Sequence, residues 1–190
     1  MNPLSEKPML IKHLIAPFLL AAALLSSASA ATFQSVIPEK SSITFKFKQM
    51  GVTSDGRFKK FSAQVAVDTD RPNEAKGSIT IDLASIDTGS KEADQEAVGK
   101  AWFNVAAHPH AQFTLSQLTP AGPGQFQARG QLTIKGQSRD IVAPVKLAPQ
   151  GLLTGSFVIK RADFGIGEGM WAKFDVVANE IVVNFNLSLK

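Results

Sequence analysis

The stretch that decides the fold is residues 181–189, which read IVVNFNLSL near the end of the 190-residue sequence. Apolar side chains occupy every second position, and all but one of the positions between them are polar. The alternating apolar set is Ile181, Val183, Phe185, Leu187 and Leu189. Successive side chains of a β-strand point to opposite faces, so this period of two predicts a strand with one face in a core.

The same period of two recurs in seven further segments. They are residues 42–48, 61–68, 78–83, 111–118, 126–134, 141–147 and 153–161. Turn-forming residues separate most of them, at 50–56, 70–77, 120–124, 135–138 and 149–151. Connections this short imply antiparallel neighbours, because parallel strands need a crossover of about a dozen residues. The sequence therefore predicts an all-β protein of eight antiparallel strands, and closure into a barrel would remove the exposed edges.

Residues 90–103 break the strand pattern and predict a short helical insert. Ser90 is suited to cap the amino end of a helix, and Gly99 weakens its interior. The apolar positions recur at three and four residues instead of two, which is the spacing of a helix face. These positions are Ala93, Ala97, Val98, Ala101 and Trp102.

Residues 1–30 have the pattern of an export signal. Lys7 and Lys12 precede an apolar run at residues 14–25, and Ala28-Ser29-Ala30 is a cleavage site of the A-x-A type. The run is shorter than the roughly 20 residues that a spanning helix needs, which disfavours the alternative of an uncleaved anchor. We expect a signal peptide over 1–30, a single domain over 31–190, and a periplasmic protein.

Composition excludes several kinds of chemistry. The chain has no Cys, so it has no disulfide, no thiolate zinc site and no Cys nucleophile. His108 and His110 have no acidic residue within several positions, and a metal site usually needs three or four ligands. The net charge of +4 is spread along the chain and gives no basic tail for nucleic acid. We expect no catalytic residue, no cofactor, no metal and no nucleic-acid partner.

The aromatic residues predict a dry interior. The chain has 13 Phe and no Tyr, and all but Phe18 lie outside the leader, mostly on predicted inward faces. Phe has no hydroxyl that needs a partner, so such an interior suits an apolar ligand. Small residues on inward faces would leave room for the ligand, although these Phe could equally be an ordinary core. The small residues are Ala63, Ala128, Gly130, Ala143 and Gly155.

Six motifs lie along the chain, at residues 42–45 with 50–52, 56–61, 81–88, 102–105 with Pro109 and Phe113, 130–136, and 161–167. In their order and spacing, these motifs resemble the YceI-like family of lipocalin-like polyisoprenoid-binding proteins. The resemblance implies an extended eight-stranded lipocalin-like barrel around a long apolar tunnel. It also implies non-covalent binding of a long-chain lipid, such as a polyisoprenoid, an isoprenoid quinone, a fatty acid or a fatty amide, without catalysis.

Fifteen residues are expected to contact the ligand. Most are aromatic, and Met170 and Trp171 follow a glycine-rich hairpin, residues 165–169, expected at the barrel mouth. Asp94 and Arg161, together with Asp163, are the candidates for the polar end of the ligand. The full set is Phe45, Phe47, Met50, Phe58, Phe61, Asp94, Trp102, Phe103, Phe113, Phe157, Arg161, Phe164, Met170, Trp171 and Phe185.

Other functions stay open at this point. The same pocket could sequester toxic amphiphiles or antibiotics, or serve an enzyme acting on an isoprenoid lipid. An outer-membrane barrel is disfavoured, because such barrels carry aromatic girdles and this chain has no Tyr and two Trp. We expect a monomer or homodimer. A basic group over the first hairpin is either a solvated outer face or a site of transient contact with anionic lipid head groups at a membrane surface. This basic group is Lys46, Lys48, Arg57, Lys59 and Lys60.

Overall fold

The computed structural model describes residues 31–190, so the predicted signal peptide lies outside the described residues. Within them, the chain forms one curled antiparallel sheet and one short α-helix, α1 (Lys91–Val98). The strands are β1 (Thr32–Phe33), β2 (Val36–Gln49), β3 (Val52–Phe58), β4 (Phe61–Asp68), β5 (Lys76–Asp82), β6 (Ile86–Asp87), β7 (His110–Gly122), β8 (Gln125–Ile134), β9 (Gln137–Leu147), β10 (Leu152–Lys160) and β11 (Glu180–Leu189).

All eight predicted strands are confirmed, and the number of strands needs one main correction. Residues 50–56 were predicted as a turn, but the turn is confined to Met50 and Gly51, and β3 follows it. The sequence of β3, VTSDGRF, has no apolar alternation. Only Phe58, at its end, is a large apolar residue on the inward face; the inward position before it is Gly56, which pairs with Phe45 of β2 and lies under the phenylalanine ring. The two-residue strands β1 and β6 were also not predicted.

The first strand joins the two ends of the sheet. The ladder runs in the order β1-β4-β5-β7-β8-β9-β10-β11-β2-β3-β6. Phe33 of β1 pairs with β4, and Val36, three residues later in β2, pairs with Leu189 of β11. If β1 and β2 are counted as one strand, eight strands follow one another around this curl, with β3 and β6 beside β2. The structure confirms the all-β lipocalin-like fold.

The two faces of the sheet differ in polarity, as β8 shows. Phe126, Ala128 and Leu132 are buried inside the curl, whereas Gln127 and Arg129 are exposed outside. The inner face of the sheet is therefore apolar and the outer face polar. Among residues 31–190, no helix is both long and apolar enough to cross a bilayer.

The helical insert begins and ends where capping rules place it. The hydroxyl of Ser90 accepts a hydrogen bond from the amide of Ala93 at 3.3 Å. The helix ends at Gly99, whose amide donates to the carbonyl of Glu96 at 2.9 Å. Beyond Gly99 the chain continues in turns, and the amide of Phe103 donates back to the carbonyl of Ala97. The prediction of a short helix interrupted near Gly99 is thus confirmed, with α1 covering its first part.

Candidate functional site

The curled sheet and α1 enclose a cavity of about 710 Å³. It extends from the apolar cluster around Val67 and Leu118 to the cluster around Phe45 and Ala97. Its volume is within the range of about 300–1,000 Å³ that is usual for small-molecule sites. Seven of the residues that line it have polar or charged side chains: Gln49, Ser78, Thr88, Ser90, Glu92, Glu96 and Arg161.

Four lining residues also reach the surface and mark the mouth of the cavity. Gln49 is at the end of β2, whereas Ser90, Glu92 and Glu96 belong to α1 and its cap. Sequence reasoning missed all four. The i, i+4 spacing of Glu92 and Glu96 does place them on one helix face, but it does not show which face meets the cavity.

The mouth carries two carboxylates with defined partners. The hydroxyl of Ser90 donates to Glu92 Oε2 at 2.7 Å, and this hydrogen bond holds the pKa of Glu92 below its ordinary value. Trp171 Nε1 donates to Glu96 Oε1 at 2.8 Å. The ring of Trp171 also packs edge-on against Trp102, with ring centroids 5.5 Å apart. The cavity is therefore apolar inside and anionic at its mouth.

Three phenylalanine rings in the cavity wall lie over glycines of neighbouring strands. A Cβ added to any of these glycines would overlap the ring above it. Rings therefore fill the space directly above Gly130 and Gly155, and the room that these glycines provide lies further in, towards the centre of the cavity. Held against the sheet in this way, the rings line the cavity wall and leave its centre open. The pairs are Phe45 with Gly56, Phe113 with Gly130, and Phe185 with Gly155.

Arg161 lines the cavity and anchors the loop between β10 and β11. The residue is 1% exposed, and burial lowers the pKa of its guanidinium. Its guanidinium lies over the rings of Trp102 and Phe174, whose centroids are 5.3 and 5.1 Å from Arg161 Cζ. The guanidinium donates to six backbone carbonyls at 2.7–3.2 Å, those of Ile166, Gly167, Trp171, Lys173, Val177 and Ala178.

These six acceptors engage every N–H of the guanidinium, which has five. Within residues 31–190, no carboxylate lies within ion-pair distance of Arg161. Arg161 therefore holds residues 165–178 in place over one end of the cavity. Its contact with the polar end of a ligand stays a prediction.

Asp94 also has a structural role. Its Oδ1 accepts hydrogen bonds from the amide and the hydroxyl of Thr88, both at 2.7 Å. These bonds tie the first turn of α1 to the end of β6, and Asp94 is not part of the cavity wall.

Replacing Asp94 with Ala is expected to lower the free energy of unfolding by about 1–2 kcal/mol, because it leaves the half-buried amide of Thr88 without its partner. Urea denaturation measures this change. Asp163→Ala is the control, because Asp163 is exposed. Equal stability of the two variants would contradict the structural role.

Ten of the fifteen predicted contact residues line the cavity. They are Phe45, Phe47, Phe58, Trp102, Phe103, Phe113, Phe157, Arg161, Trp171 and Phe185. The other five lie elsewhere: Phe61 packs against the first apolar cluster, Phe164 is 2% exposed in the second, Asp94 binds Thr88, and Met50 and Met170 are 77% and 87% exposed. Contact of any of the fifteen with a ligand stays a prediction.

No group of three or more His, Asp or Glu side chains among residues 31–190 is arranged to hold a metal ion. The expected lack of a metal, a cofactor or a catalytic residue stays a prediction.

Sequence comparison gives a family match over nearly all of the described chain. The YceI-like domain family matches residues 35–189. A UPF0312 protein of Photorhabdus laumondii is 33% identical over 128 residues, which is 66% of each chain.

Solved structures give the same fold. The crystal structure of BcnA of Burkholderia cenocepacia is 38% identical, with a TM-score of 0.77 over 80% of this chain and 98% of that one. A polyisoprenoid-binding domain of Saccharophagus degradans, implicated in plant cell wall breakdown, is 18% identical. Its TM-score is 0.62 over 83% of this chain and 97% of that domain, a likeness of fold alone.

Proposed function

Because this chain belongs to the YceI-like domain family, we propose that it binds a long-chain apolar lipid in the cavity of about 710 Å³. The lipid is a polyisoprenoid, an isoprenoid quinone, or a fatty acid or its amide. The observation that carries the proposal is the lining itself, which is apolar along its length and polar at the mouth. A chain-like ligand with one polar end matches that distribution.

Burial drives the binding. At about 25 cal/mol per Å² of apolar area, a long chain removed from water contributes on the order of 10 kcal/mol before the costs of binding. The polyisoprenoid-binding domain of Saccharophagus degradans, with the same fold, supports an isoprenoid chain as the cargo. The leader sequence at residues 1–30 supports a periplasmic protein that transports or stores this cargo.

The test is the mass of what the cavity holds. The protein, expressed from the full 190-residue chain and purified without detergent, is analysed by native mass spectrometry and organic extraction. We expect a co-purifying lipid, or uptake of an added isoprenoid quinone or fatty amide by the extracted protein. Failure of both would contradict the proposal.

A variant pair localises the ligand to the cavity. Ala143 lines the cavity and is 4% exposed, whereas its neighbour Val142 is on the outer face. Ala143→Leu is expected to weaken binding of the longest ligand by about tenfold or more, because the added methyl groups occupy the lumen. Val142→Leu adds bulk outside and is expected to bind as the wild type does. Equal weakening by both variants would place the ligand elsewhere.

A second function follows from the carboxylates at the mouth. Glu92 and Glu96 favour an amphiphile with a cationic head group, as in the sequestration of a toxic amphiphile or an antibiotic. Competition separates the two functions. Displacement of a bound quinone by a long-chain alkylammonium at lower concentration than by the matching neutral amide would favour sequestration.

The proposal includes no chemical step. An enzyme acting on an isoprenoid lipid would change its ligand, so recovery of the added quinone at unchanged mass after prolonged incubation is the expected result.

A further inference from the structure

Five exposed apolar side chains gather at the tip of the β2–β3 hairpin and in the loop beside it. We call them the rim patch. Met50 and Val52 are at the hairpin tip, and Met170, Phe174 and Val176 belong to the loop. Their exposed fractions are 77%, 66%, 87%, 48% and 38%.

Backbone contacts hold the two parts of the patch together. The amide of Met50 donates to the carbonyl of Val176 at 2.8 Å. The next pair, Gln49 and Val177, forms a β-bridge, and the amide of Ala178 donates to the carbonyl of Lys48. The hairpin tip and the loop are therefore one surface.

The rim patch borders the cavity. Gln49 and Val177, which form the bridge, both line the cavity, and so does Trp171, the neighbour of Met170. Gln49 is also one of the residues that mark the mouth. An apolar ligand that enters through the mouth therefore passes beside the patch.

Neither local conformation nor packing explains Met50. It has φ +50° and is followed by Gly51 at φ +82°, in a two-residue turn that joins paired strands. Such turns favour Asn-Gly, because a side chain with φ above zero is strained unless it is short and polar. Met is disfavoured here and gains no burial in the fold. Its apolar side chain is therefore available for contacts outside the molecule.

The charges beside the patch are net positive, which fits an anionic surface. Lys48, Lys173 and Asp175 are exposed next to the patch and form no ion pair within residues 31–190, so together they carry a charge of +1. Three other members of the basic group pair with carboxylates of the fold. Lys46 pairs with Asp55, and Arg57 and Lys59 share Asp87.

We propose that the rim patch inserts into the surface of a phospholipid bilayer that contains anionic lipid, so that the cavity mouth opens beside the membrane. The inference rests on the proposed function, since a lipid cargo must come from a membrane. A second copy of the chain fits less well, because a stable interface takes about 20–30 residues from each partner and the patch has five.

The test compares binding to vesicles of phosphatidylcholine with phosphatidylglycerol and to vesicles of phosphatidylcholine alone, by flotation. The variant is Met50→Asn with Met170→Ser, and the control is Val158→Ser, which removes an apolar side chain 54% exposed on β10. We expect the double variant to bind the anionic vesicles about tenfold more weakly, because it loses two inserted side chains. The control is expected to bind as the wild type does, and Met50→Asn alone to keep or raise the thermal midpoint.

Three results would overturn the proposal. They are no binding of wild type to anionic vesicles, equal binding by the double variant, and conversion of a dimer to a monomer by the double variant without a change in vesicle binding. Loading with dissolved isoprenoid quinone, measured by native mass spectrometry, separates this proposal from the proposed function. A wild type that takes up no quinone would overturn both proposals, whereas a wild type that takes up quinone but does not bind the anionic vesicles would overturn this proposal alone.

Discussion

Arg161→Met is expected to lower the free energy of unfolding by about 3–5 kcal/mol, because it removes a buried cation and leaves six carbonyls without their donor. Met keeps most of the apolar stem, so the loss reports on the guanidinium. We expect residues 165–178 to open first, since their carbonyls converge on this one side chain. Chemical denaturation measures the stability, and amide hydrogen exchange measures the loop.

Two further variants test whether the guanidinium of Arg161 is the cause of this loss of stability. Arg161→Lys keeps a charge but has three donors in place of five, so it is expected to recover part of the loss. Arg139→Met removes an exposed guanidinium that lies 5.9 Å above the ring of Phe164, and it is expected to cost less than about 1 kcal/mol. If Arg161→Met and Arg139→Met unfolded at the same denaturant concentration, the anchoring role would be wrong.

Gly130→Ala is expected to cost about 3 kcal/mol or more. Its new Cβ would overlap both the ring of Phe113 and the backbone carbonyl oxygen of Thr114. The ring can rotate away into the cavity, but the carbonyl belongs to β7, which pairs with β8, and cannot move without breaking that pairing. We expect both a lower denaturation midpoint and a smaller capacity for ligand.

Gly155→Ala is the informative comparison, because the three atoms nearest to its Cβ would all belong to the ring of Phe185 and none to the backbone. It is expected to push that ring into the lumen and to weaken binding of long ligands more than of short ones. Adding Phe185→Leu should restore much of the stability, whereas Phe113→Leu should restore little in Gly130→Ala. A double-mutant cycle for each pair measures the coupling. Equal rescue in both pairs would contradict the role of the Thr114 carbonyl.

The fold could be predicted from the sequence because most strands bury alternate apolar side chains, as β11 does. The sequence pattern did not predict β3, and the reason is physical. Of its inward positions only Phe58 is large and apolar, and at Gly56 the side chain that fills the space belongs to Phe45 on β2. The alternation of apolar residues within one strand cannot reveal that a side chain of the neighbouring strand covers an inward glycine.

The candidate site was predictable where it is aromatic and less so where it is polar. Phe45, Phe113 and Phe185 follow from the period of their strands, and all three line the cavity. The mouth residues Glu92 and Glu96 depend on how α1 is rotated against the sheet. The role of Arg161 depends on six carbonyls in a loop without regular alternation. Both are tertiary facts that local sequence does not encode.

The first strand, which joins the two ends of the sheet, also affects when the cavity forms during folding. Ser188 donates its amide to the hydroxyl of Ser41 across 147 residues of sequence, in the wall where β2 meets β11. Contacts of such long separation form late, because the entropy of closing the loop must be met first. Hairpins such as β4–β5 and β7–β8 can form while the chain is being synthesised, but they enclose nothing. The wall is complete only when β11 pairs with β10 and β2, so we expect a chain that ends before β11 to keep hairpins without an enclosed lumen.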